Sequence, residues 1–127
     1  MIIVFFWFLY FLWYNIYEYI FINMFQKKDC KKNRVGRQEK SRKIIFQNEK
    51  LFFKPQGVSL SELKIIFLKR DEVEALRLKD VLYLNQEESA LKMGISQSTF
   101  ARILASARKK VSEALIKSYG IKICNKK

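Results

Sequence analysis

The stretch Gln86–Leu104, QEESALKMGISQSTFARIL, constrains this chain more than any other. Two helices that cross at a tight turn make three demands. A small residue must sit where they touch, a residue tolerant of positive φ must occupy the turn, and apolar residues must fill the inner face. Ala90, Gly94 and the set Met93, Ile95, Phe100 and Ile103 meet these demands in that order. Ser96 is a suitable N-cap for the second helix. From there Phe100, Ile103, Leu104, Ala107, Val111, Ala114 and Leu115 recur three or four residues apart, over about five turns. Gly120 is expected to end that helix.

The opposite face of this second helix carries Gln97, Ser98, Ala101, Arg102, Ala105, Arg108 and Lys109. It is small and polar at its start and basic further on. A helix lying in a DNA groove needs that order, because its first turns meet base edges and its later cations meet phosphates. The expectation is a helix-turn-helix at 86–110. Ser96, Gln97, Ser98, Thr99, Arg102, Arg108 and Lys109 would face double-stranded DNA, and Ala90 and Gly94 would be the structural turn residues. A plain helical hairpin in a structural or protein-binding domain is the competing reading. An Ala-x3-Gly match alone favours that alternative; the Ser96 cap, the apolar set and the basic outer face together favour DNA.

Charge points the same way. Lys and Arg number 25 against 12 acidic residues, a formal net charge of +13, which favours polyanionic partners. The parts of an enzyme are lacking. There is no histidine to act as general base, no glycine-rich phosphate loop and no GxSxG. No enzymatic activity, metal or cofactor is expected. Cys30 and Cys124 form no CxxC and are expected to be free cytosolic thiols.

The chain divides into segments of different character. Residues 1–25 are an apolar tail with a single charge, Glu18. It can be read as a membrane anchor, since about 20 apolar residues span a bilayer and lysines follow at once. Alternatively it is an A/T-rich upstream region read in frame, with Met24 as the true start; this second reading is preferred. Residues 26–43 read as a flexible basic arm. Residues 44–123 form the folded domain, and 124–127 a short tail. Within the domain, Ile44–Phe46 and Leu51–Phe53 are strand-like runs, and Lys54–Gly57 is a turn. Helices are expected near 60–68, 72–82 and 86–93. Ser59, Asp71 and Asn85 would cap them, with Glu62, Glu74 and Glu88 three residues on. This is an all-α bundle of about four helices with a short extended N-terminal segment.

Five further pieces, FKPQGVSLSEL, DEVEALRL, QEESA, MGISQSTFARIL and ARKKVSEAL, lie between Phe53 and Ile123. This region closely resembles domain-of-unknown-function family 134, also called uncharacterised protein family 0251. The resemblance implies a helix-turn-helix similar to region 4 of sigma-70 factors and a transcriptional regulator. The resemblance also implies that some relatives carry an added domain similar to iron-molybdenum-cofactor binding proteins, and this chain is expected to end before such a domain. The chain departs from the family pattern at several places. Ser41 and Ile45 stand where relatives often have cysteine, Tyr83 replaces a usual glycine, Ser59 a usual proline, and residues 1–34 lie outside the pattern. The expected working place is the cytoplasm, with membrane attachment only if residues 1–25 are native. Further partners weighed are RNA polymerase or another transcription protein, and a second copy in a homodimer. Leu115, Ile116 and the Tyr119–Ile123 end either serve a second chain or complete the core, and the core is the preferred reading.

Overall fold

A computed structural model describes residues 1–29, 41–47 and 51–124; side chains at 18, 19 and 21–29 lie outside the described set. The chain divides into two units, Met1–Arg34 and Val35–Lys127.

The first unit is one helix, α1 (Ile2–Asp29), of 28 residues. Its described large apolar residues, from Ile2 to Ile20, are exposed by between 43% at Leu12 and 78% at Ile3. Asn15 satisfies its amide locally by donating to the Phe11 carbonyl at 2.8 Å. Among the described residues, no helix is long and apolar enough to cross a membrane. The basic arm expected at 26–43 falls largely outside the described residues.

The second unit is mostly helical but includes a small sheet, which corrects the all-α expectation. Strands β1 (Phe52–Phe53) and β2 (Ile65–Lys69) flank β3 (Gly120–Cys124) in the order β1-β3-β2. β1 pairs antiparallel to β3, and β2 pairs parallel to it, with Ile66 opposite Ile121 and Leu68 opposite Ile123. The helix expected at 60–68 is therefore absent. Leu60, Leu63, Ile66 and Phe67 have helical spacing, but Ile65-Ile66-Phe67-Leu68 is also a β-branched and aromatic run, and pairing with β3 decides the outcome. Gly120 does not end a helix; it opens β3. A Cβ there would lie 3.0 Å from Leu63 Cδ2, so glycine lets the strand close onto Leu63. Lys122, in the central strand opposite Phe52 and Phe67, is buried, and burial pushes its pKa down to about 8. Cys124 is disulfide-bonded, so the expectation of free thiols fails there.

β2 leads directly into α2 (Arg70–Leu76), which continues as a π-helical turn over Arg77–Val81. The cap of α2 is Lys69, whose N–H donates to Glu72 Oε2 at 2.9 Å; it is not Asp71 with Glu74. Asp71 and Glu74 instead bind the segment 41–47. Asp71 pairs with Arg42, and Glu74 accepts from the Phe46 N–H at 3.1 Å. Arg70 donates to the Phe46 carbonyl at 2.8 Å. Residues 44–46 thus form a strap along α2 and not a strand of the sheet.

α3 (Gln86–Met93) and α4 (Gln97–Lys117) complete the unit. Their core joins Ala90, Met93, Phe100, Ile103 and Leu104 to Ala75 and Leu78 of the preceding helix, with Leu76, Leu84 and Ile95 packed against it. α4 ends at Ser118 in the left-handed conformation, φ 53°. Leu115 and Ile116, expected in the core, are 74% and 83% exposed. They lie on the outer side of α4.

Candidate nucleic-acid interface

The turn between α3 and α4 is built as the local chemistry requires. Gly94 takes φ 67° and ψ 34°. Its N–H donates to the Leu91 carbonyl and the Ile95 N–H to the Ala90 carbonyl, both at 3.1 Å. This pair of bonds is the Schellman closure that satisfies the last carbonyls of a helix. A Cβ at Gly94 would meet nothing within 4 Å, so φ alone calls for glycine. Ala90, 3% exposed, sits at the helix contact. Asn85 caps α3 by accepting from the Glu88 N–H at 2.8 Å. Ser96 caps α4 by accepting from the Thr99 N–H at 3.3 Å.

The hydroxyls expected at the interface first serve this cap. Ser96 Oγ lies 2.8 Å from Thr99 Oγ1 and 3.2 Å from Ser98 Oγ. Ser96 and Ser98 are exposed, and Thr99 is half-buried. Gln97 and Arg102 are exposed, as is Lys109. Arg102 and Lys109 have no hydrogen bond or ion pair among the described residues. Arg108 is tied down: its Nη2 donates to Asp80 Oδ1 at 2.6 Å and its Nε to Oδ2 at 3.1 Å. This pair holds the Asp80 carboxyl below its ordinary range and raises Arg108.

At about 100° per residue, these positions fall into an ordered arc. Ser98, Ala101, Ala105 and Ser112 form its crest. Gln97 and Arg108 lie along one border, Arg102 and Lys109 along the other. No acidic residue occurs in α4 before Glu113. A small-residue crest lets the helix approach a surface closely, and cations on both borders match a groove whose two walls are phosphate.

What holds α4 in place was not legible beforehand. Glu72, 4% exposed, accepts from Ser106 Oγ at 2.6 Å and Lys110 Nζ at 2.7 Å. Burial alone would raise its pKa, but the bonds from Lys110, Ser106 and the Lys69 N–H bring it below the ordinary 4.5. Lys110 also donates to the Phe67 carbonyl at 3.1 Å, so one side chain links α4, α2 and β2. The only advance signal was position. Ser106 and Lys110 are four apart on the seam between the apolar and exposed faces of α4, where a polar side chain can reach back to a neighbour. A second missed feature is the strap: the Lys43 N–H donates to the Met93 carbonyl at 3.1 Å, placing an exposed lysine beside the turn. Among the described residues no cluster of His, Cys, Asp and Glu could hold a metal ion.

Comparison with known proteins bears on identity. No solved structure matches the chain. It is 46% identical over 89 residues to a UPF0251 protein of Desulforudis audaxviator, covering 70% of this chain and 58% of that one. It is 50% identical over 72 residues to one of Pelotomaculum thermopropionicum, covering 57% and 54%. With one of Halothermothrix orenii the figures are 41% over 88 residues, covering 69% and 65%. The chain thus spans a little over half to two thirds of the length of these relatives. The family described as "Protein of unknown function DUF134" matches residues 32–125, leaving the whole of α1 outside the matched region. With that match over most of its length, the chain belongs to the DUF134 family, to which the sequence motifs also pointed.

Proposed function

We propose that the Val35–Lys127 unit binds double-stranded DNA through the outer face of α4 and acts in the cytoplasm as a transcriptional regulator. The observation that carries this reading is the arc from Gln97 to Ser112, to which α4 contributes no acid, with a small-residue crest and cations on both borders. In this reading Gln97, Ser98 and Arg102 meet base edges, while Arg108 and Lys109 meet phosphates. Ser96 and Thr99 keep the helix start closed, and the hydroxyl O–H that the cap leaves over donates to a phosphate oxygen of the duplex. One such helix reads few base pairs, so two copies on adjacent half-sites is the favoured assembly. A second reading, contact with RNA polymerase or another transcription protein, draws support from the exposure of Leu91 at 81%, Leu115 and Ile116.

Fluorescence anisotropy of the full chain with a random-sequence duplex tests the first reading. Micromolar binding is expected at low salt, with log K falling linearly as log salt rises. Lys109→Ala should flatten that slope by about one unit. No binding at micromolar protein, or a slope unmoved by Lys109→Ala, overturns it and leaves the protein-partner reading.

A further inference from the structure

We propose that Asp80 is a positioning residue that fixes Arg108 on one border of α4, so that this guanidinium rewards a single placement of the duplex instead of any nearby phosphate. The inference rests on the DNA-binding reading above.

The two borders of α4 differ in kind. Arg102 and Lys109 end in free, exposed groups that can follow a phosphate wherever one lies. Arg108 is gripped side-on through Nε and Nη2. A guanidinium has five N–H donors in a rigid plane. The grip uses two and leaves three, two of them side by side on the end edge of the guanidinium, with Arg108 still 50% exposed. Its rotamer freedom is therefore already restricted before any ligand arrives, and its remaining donors point in a defined direction.

The carboxylate reaches Arg108 because of where it sits. Asp80 lies in the π-helical turn Arg77–Val81, closed by the Leu82 N–H on the Arg77 carbonyl at 2.9 Å. This wider turn redirects the side chains after Arg77 relative to a continued α-helix. Such turns are uncommon, and this one carries, one residue before its end, the acid that meets the proposed DNA face. A purely structural role explains the pair poorly, because an exposed ion pair contributes little to folding. A carboxylate beside a phosphate-binding surface also opposes binding on charge alone. Its presence at this point is explained if it exchanges general attraction for a fixed register, which is how backbone contacts contribute to specificity.

Two opposed effects make the test decisive. A preferred duplex is first enriched from a randomised pool with the full chain, and Kd is then measured for that duplex and for a random one. Asp80→Asn should tighten random binding, because a negative charge is lost. It should also lower the preferred-to-random ratio, by about fivefold to tenfold. Arg108→Ala should lower the ratio by a similar factor, and the double variant should lower it no further. Asp80→Glu, which keeps the charge, should retain more of the ratio than Asp80→Asn. Asp80→Asn tightening both duplexes equally, or additive losses in the double variant, overturns the inference. So does a wild-type protein that binds duplex but enriches no sequence, although DNA binding itself then stands. Failure of the wild-type protein to bind any duplex removes the parent reading as well.

Discussion

The α3–α4 pair and the sheet with its strap are held by different forces. In the helix pair, closure is local. Asn85, Gly94 and Ser96 each satisfy backbone groups within five residues, and Met93, Phe100 and Leu104 bury the apolar face. In the other half, the ties that join one element to another are distant in sequence. Arg42 meets Asp71, Ser106 and Lys110 meet Glu72, and β2 meets β3. A region closed by local bonds can present a rigid surface. A region closed by ion pairs and a small sheet sets that surface's orientation and carries the pH sensitivity.

Substitutions can break this contrast, beginning with the largest effect. Phe100→Ala removes a fully buried ring from the helix-pair core and should destabilise the unit by about 3–5 kcal/mol in urea unfolding. A loss under 1 kcal/mol would mean that the core is not where the stability lies. Glu72→Gln breaks the distant network and should cost about 2–3 kcal/mol, less than a fully buried pair because Lys110 can reach water. The folded-state pKa of Glu72 lies below its ordinary value, as does that of Glu74. Their contribution is therefore complete above about pH 4.5 and is lost as pH falls through the folded-state values. Wild-type stability should drop in that acid range, and Glu72→Gln should flatten the drop. The smallest effect is expected at Tyr83, which holds φ 56° while 84% exposed. Relief of left-handed strain should make Tyr83→Gly stabilising by up to about 1 kcal/mol after the entropy of glycine is counted. A destabilised variant would show that the tyrosine side chain holds the turn.

The same contrast decides what was legible in the sequence. The caps Asn85 and Ser96, the αL Gly94 and the apolar period of α4 from Phe100 to Ala114 are signals within one or two turns, and each stands where the spacing placed it. Pairing between β2 and β3 joins residues more than fifty positions apart and leaves no local trace. At 60–68 two local signals conflict, helical spacing against strand composition, and only the distant partner resolves them. The cap at Asp71 was misplaced because three acids within four residues, Asp71, Glu72 and Glu74, offer several capping frames. The outer residues of α4 were visible as a set from composition and period. The Asp80–Arg108 pair was not, since it spans 28 positions and depends on a π-helical turn that nothing in the sequence announces.

The account stands on the exposed crest of α4 lying against a duplex. Ala105 is at the middle of that crest, exposed and far from any cap, and glutamate is a good helix former. Ala105→Glu should therefore fold normally yet weaken duplex binding at least about tenfold in anisotropy titrations at moderate salt. Leu91→Glu, on the exposed side of α3, adds the same charge away from the crest and should change affinity much less. Equal weakening by the two variants would show that only net charge matters and would contradict a docked α4.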